Sequence, residues 1–248
     1  MKQLYILLLI ILLFGCESAD TGKPGTDNVT GTDQDTEYPG SVLYTDPSIA
    51  GWAEAYTAYQ PGEECDEMWQ TPERSLGPAD GTTDGIVCLG RGGTITFVFT
   101  DMPIADRDGA DFAVFGNSFS DSFLELAFVE VSSDGETFVG FPAYSYTKEP
   151  VGPYGTVSFT DVYDINRDYT GFAGVHPVAY GTLFDLADLP VHADLDTASV
   201  THVRLVDIPG DGSVVDSSGN PIYDPYPCTG SAGFDCDALG VINYARVR

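Results

Sequence analysis

Residues 124–141, LELAFVEVSSDGETFVGF, decide the fold class. Residues 124–131 read as a strand, and Ser133-Asp134-Gly135-Glu136 reads as a turn leading into a return strand over residues 137–141. Asp-Gly between two apolar-rich runs is the strongest short-range hairpin signal, because a two-residue turn of the right hand needs residues that tolerate positive φ. The same period of two recurs outward along the chain. Residues 93–99 (GTITFVF) alternate small or polar with apolar side chains, as a strand with one buried face does. Residues 112–115 (FAVF), 200–207 (VTHVRLVD) and 238–247 (ALGVINYARV) read as further strands. Helical periodicity is nearly absent, and residues 183–189 are the best candidate for a short helical turn. With 28 glycines and 16 prolines, the remainder is loop. Many short strands separated by Gly/Pro turns predict an all-β chain, a sandwich or jelly roll.

The amino terminus carries targeting information. Lys2 precedes an unbroken apolar run at residues 4–14 (LYILLLIILLF), which has the length of a signal-peptide core. A spanning helix needs roughly 20 apolar residues, and no stretch of the chain reaches that. Leu13-Phe14-Gly15-Cys16 resembles the bacterial lipobox, in which the Cys is acylated before cleavage. Residues 1–15 are therefore expected to be a lipoprotein signal peptide and Cys16 a lipidated anchor. Several acyl chains on one residue give the multiple hydrophobic signals that stable attachment needs. Glu17 stands where an Asp would favour inner-membrane retention, so the expected location is the outer membrane or cell surface. Residues 16–40 are rich in Asp, Thr and Gly and too poor in apolar side chains to offset ordering entropy, which predicts a disordered acidic tether. Residues 41–248 remain for one β-sandwich domain.

The chain carries 38 acidic and 10 basic side chains, a net charge of -28. Polyanions such as nucleic acid are repelled by such a surface, so no nucleic-acid partner is expected. Of the acids, 27 are Asp, many beside Gly, Asn or Ser. Short carboxylates on tight turns suit Ca²⁺, which takes six to eight oxygens; a merely hydrated surface is the alternative. Besides Cys16 there are Cys65, Cys88, Cys228 and Cys236. An even number in an exported chain predicts two disulfides. Of three possible pairings, Cys65–Cys88 with Cys228–Cys236 closes the shortest loops and is the one expected.

Residues 128–142 (FVEVSSDGETFVGFP) resemble the strand-turn-strand core of discoidin-type, galactose-binding-like domains. Residues 78–85 (PADGTTDG) are similar to the Asp-Gly calcium loop of those domains, and VTHVRLVDI and DALGVIN to two of their strands. A closer likeness is to secreted bacterial cell-surface proteins, many of which end in an exosortase sorting tail. It is carried by residues 76–99, 111–117, 125–135, 219–225 (GNPIYDP) and 233–239 (GFDCDAL). Gly116 departs from it, standing where that group has Glu. The resemblance implies a jelly-roll, galactose-binding-like sandwich. It also implies one structural calcium held by Asp80 and Asp84 together with Asp237 or Asp235.

A second candidate cation site follows from the residues themselves: Asp207, Asp211, Asp216 and Asp224, with Asn220 between. Its spacing does not meet the EF-hand ligand pattern, and turn chemistry explains Asp and Gly equally well. No catalytic set is legible. Glu125 and Glu130, read as lying in one strand five residues apart, point to opposite faces. Thr229-Gly230-Ser231-Ala232-Gly233 lacks the first Gly of a nucleophile elbow. The expected function is a non-catalytic surface module binding a glycan or other extracellular polymer. A structural envelope lipoprotein without a ligand is the rival, and a glycan-acting hydrolase a third reading. A sugar site needs aromatic platforms on loops. Trp52, Trp69, Tyr144, Tyr146, Tyr154, Tyr223 and Tyr226 are available, and Trp69, following Cys65, is the expected one.

Overall fold

A computed structural model describes residues 38–163 and 170–246. The apolar run, Cys16 and all but the last three residues of the expected tether lie outside the described residues. Two antiparallel sheets enclose one apolar core. The first is ordered β1 (Ser41–Leu43), β10 (Tyr180–Phe184), β6 (Phe112–Gly116), β14 (Asp235–Val241), β2 (Gly51–Trp52), with β4 (Val87–Cys88) also on β14. The second is ordered β3 (Ala55–Gln60), β5 (Thr94–Val98), β11 (His202–Asp207), β7 (Ala127–Ser132), β8 (Val139–Gly140), with β9 (Phe172–Ala173) on β7. β12 (Asp211–Val215) and β13 (Pro221–Tyr223) form a separate ribbon. Among the described residues no helix is long and apolar enough to cross a membrane.

The period-two pattern explains the core. Val203 sits between Phe97 and Val131, and Leu205 between Ile95 and Val129, so three strands of the second sheet present matched apolar rungs. Phe112, Val114, Phe184, Leu239 and Val241 answer them from the first sheet, all in the same buried cluster. Each large side chain so buried contributes roughly 1.5–3 kcal/mol. The Asp-Gly hairpin forms, with strands shorter than those read, Ala127–Ser132 and Val139–Gly140: Gly135 has φ 77°, and Asp134 Oδ1 accepts from Glu136 N, Thr137 N and Ser132 Oγ.

The expected short helical turn within residues 183–189 is a 3-10 turn, Leu186–Asp188, preceded by Leu183 and Phe184, which pair with Ala113 and Phe112 of β6. Two expectations need correction. The closing strand spans Asp235–Val241 rather than residues 238–247. It stops because Ile242 N and Asn243 N both turn to the Asp111 carbonyl, at 2.8 and 3.0 Å. Neither disulfide is formed; all four described cysteines are free thiols. Cys65 and Cys88 do lie side by side, Cys65 Sγ being 3.7 Å from the Cys88 carbonyl oxygen. Cys236 belongs to the core, whereas Cys228 points at the carbonyls of Pro153 and Pro225 in a loop.

Asp111, immediately before β6, is fully buried. Its Oδ1 accepts from Arg107 N (3.0 Å) and Asn243 Nδ2 (3.1 Å), and its Oδ2 from Leu186 N (2.9 Å). One carboxylate thus ties three separate loops to the end of the first sheet.

Candidate functional site

The start of β14, Asp235-Cys236-Asp237, organises most of the buried charge. An extra residue on this strand separates Cys236, opposite Gly116, from Ala238, opposite Phe115. That bulged residue is Asp237. Strict alternation would send Cys236 and Leu239 to opposite faces, yet both join the core. Asp237 is 3% exposed, and its Oδ2 has no hydrogen-bond partner. The backbone N–H groups of Asp80 and Gly81 face its carboxyl, while burial, followed by the Asp80 charge, pushes its pKa up to about 7.

The expected calcium loop is therefore brought to the chain end, as the resemblance implies for Asp80 and Asp237. Asp80 is exposed; its Oδ1 accepts from Thr82 N at 2.7 Å. Asn117 joins loop and strand: its Nδ2 donates to the Thr83 carbonyl (3.2 Å) and to Asp235 Oδ2 (3.3 Å). Asp235 is 4% exposed and leaves Oδ1 without a partner. Asp84 is exposed, and its charge is not among those that act on Asp237. Asp80 and Asp237 are thus neighbours, but among the described residues no three of Asp80, Asp84, Asp235 and Asp237 have their carboxylate oxygens within 4.8 Å of one another.

The second candidate set is sorted differently from the expectation. Asp216 is a turn brace, accepting from Ser145 N, Ser218 N, Asn220 N and Asn220 Nδ2. Asp211 is exposed and accepts from Ser213 N. Asp207 and Asp224 are buried. Asp207 accepts from Gly92 N (2.8 Å) and Phe234 N (2.6 Å), and Asp224 from Leu126 N (3.0 Å). Each rests against a glycine in a left-handed conformation. A Cβ on Gly233 would lie 2.4 Å from Asp207 Oδ1, and one on Gly210 1.8 Å from Asp224 Oδ1. Desolvation pushes the Asp207 pKa up to about 7 and that of Asp224 well above the carboxylate range.

Glu125 completes this group, and its placement differs from the reading of the sequence. It precedes β7 instead of lying within it, because Leu126 N is committed to Asp224. Burial, then the charges of Asp235, Asp224 and Asp207, raise its pKa well above the usual value. Glu125 lines a cavity of about 190 Å³ together with Phe119, Phe123, Tyr154, Thr229 and Ser231. Pro153, Pro227 and Cys228 complete the wall. Burial pushes the Cys228 thiol up to about 11, so it is protonated at neutral pH. Tyr154 is 91% and Phe119 69% exposed, large aromatic faces left in water at the mouth. Trp69 lies elsewhere, in a 3-10 turn, with the Arg74 guanidinium 5.8 Å from its ring centroid.

No family model and no curated protein matches this chain. The site therefore rests on its own geometry.

Among the described residues, one set of three acidic side chains has all its ligand atoms within 4.8 Å: Asp106, Asp111 and Asp185. Nothing in the sequence pattern singled it out. Asp111 is saturated by its three donors and Asp185 Oδ1 accepts from Ala187 N, so turn and loop bracing accounts for both.

Proposed function

We propose that this chain is a non-catalytic binding module of a lipid-anchored bacterial surface protein. It holds an extracellular glycan or other polymer at the cavity of Phe119, Phe123, Tyr154 and Glu125. The observation that carries this reading is the concavity itself: aromatic faces at the mouth, a recessed carboxyl and two hydroxyls on the wall. Apolar pockets with few convergent polar groups are the usual form of a binding site. The resemblance to galactose-binding-like jelly rolls supports the same class. A carboxylate-pair hydrolysis needs two acids flanking the bond, and Glu125 is the single carboxylate on this cavity's wall. A structural calcium held by Asp80 and Asp237 ties the loop to the closing strand.

A glycan array combined with pull-down from cell-wall material tests the function. Tyr154→Ala or Phe119→Ala is expected to weaken retained binding at least tenfold, since stacked aromatic platforms dominate such contacts, while Trp69→Ala leaves it unchanged. Uniformly empty arrays would favour the structural envelope role. The anchor has its own test. Cys16→Ser is expected to release the protein from the membrane fraction, and retention through detergent-free washing would remove the lipid from this account.

A further inference from the structure

We propose that the Glu125 cavity recognises an alkylammonium group carried by an extracellular glycan; this rests on the reading of that cavity as the binding site. Its lining has one ionisable acid, Glu125, and no Lys or Arg. Behind Glu125 stand Asp235, Asp224 and Asp207, all buried; burial and their charges favour the protonated form of Glu125 while the cavity holds no counter-charge. An organic cation entering the cavity relieves that repulsion and favours the carboxylate, whereas an anionic substituent adds to it and a neutral one leaves it unrelieved.

The walls select the kind of cation. A divalent metal needs six to eight oxygens, or an octahedron of them. The lining side chains supply only one carboxylate and the hydroxyls of Tyr154, Thr229 and Ser231. Phe119, Phe123 and Tyr154 instead offer aromatic faces, the first two with ring centroids 6.2 Å apart and tilted by 38°. Rings so placed attract a soft organic cation through their quadrupoles and cover its methylene or methyl groups. Pro153 and Pro227 extend this apolar surface. The cavity of about 190 Å³ is smaller than sites enclosing a drug-sized molecule, which begin at about 300 Å³. It suits a charged substituent, with the polymer running across the exposed faces of Tyr154 and Phe119.

The experiment is calorimetric titration of the full mature chain in millimolar calcium, using pairs of probes that differ in charge. Choline is compared with its uncharged isostere 3,3-dimethylbutan-1-ol, and glucosamine oligomers with their N-acetylated counterparts. At least one charged probe is expected to bind tenfold or more tighter than its partner, and which pair responds distinguishes a quaternary from a primary amine. Glu125→Gln should abolish that preference, while Tyr154→Ala should weaken charged and uncharged probes alike; unchanged melting of both variants checks their folding. Equal affinity within both pairs, or a preference that survives Glu125→Gln, overturns the cationic ligand. In that event, neutral glycan binding that Tyr154→Ala abolishes would keep the broader binding function. Tighter binding of oligolysine than of any saccharide or choline would overturn the glycan and make a basic protein segment the ligand.

Discussion

At neutral pH the chain is expected to melt several degrees higher in millimolar calcium than in EDTA. Asp237 has a buried oxygen without a donor and a neighbouring carboxylate at Asp80. A cation that binds only the folded state stabilises it by RT ln(1 + [L]/Kd), about 2.7 kcal/mol at a hundredfold excess over Kd. For a domain of this size each kcal/mol moves the midpoint by about 2–4 °C. The pH dependence follows from the pKa directions. Asp207, Asp235 and Asp237 are each pushed up to about 7 in the fold. Between the ordinary carboxylate range and pH 7 the folded state therefore holds more protons than the unfolded chain. Without calcium, stability falls as pH rises through that window. Calcium competes with those protons, so the gap between calcium and EDTA should be narrow at pH 5 and wide at pH 7.5, with magnesium as control. Asp237→Asn is expected to raise the midpoint in EDTA and abolish the calcium response. A midpoint indifferent to calcium at both pH values would leave the acids without a metal. A response that survives in Asp237→Asn would relocate the ion to Asp207 and Asp224 or to the Asp106 group.

Asp111→Ala is expected to cost about 3–5 kcal/mol of folding stability. The change strands the Arg107 and Leu186 N–H groups and the Asn243 amide at once. Each buried donor left unsatisfied costs about 1–3 kcal/mol, and relief of repulsion from Asp185 offsets a little of the total. Asp111→Asn keeps one oxygen and the volume, so about half that loss is expected. Denaturant titration reads both as a lower midpoint at constant slope. A loss below about 1 kcal/mol for the alanine variant would mean that the three loops hold without it.

The strands were legible where alternation and turn chemistry agreed. β5, β6 and β11 fall within a residue or two of their expected spans, while β7 of the Asp134-Gly135 hairpin starts three residues later than expected. Short edge elements such as β1 and β2 carried too few residues to show a period. The site was legible only in part. Asp80 and Asp237 meet because the first and last parts of the domain are neighbours in the sheet, which family likeness implied. The Glu125 group was not visible. Its members span residues 125–235, and acids in so acidic a chain read as surface. One local signal was present: Asp207 and Asp224, both placed by the sequence in the second candidate cation site, are each seated on a positive-φ glycine, Gly233 and Gly210. Trp69 drew attention as a tryptophan near a cysteine, whereas the exposed rings lie on the loops of Phe119 and Tyr154, residues of less conspicuous type.

The bulge makes Asp237 an insertion that the sheet itself does not need. Removing it would leave Cys236, Ala238 and Leu239 opposite Gly116, Phe115 and Val114 in unbroken register, with Cys236 and Leu239 still on the core face. Such a deletion takes away both the buried acid and the kink that presents it, whereas Asp237→Asn takes away the charge and keeps the kink, so the two variants separate the carboxylate from the backbone that carries it.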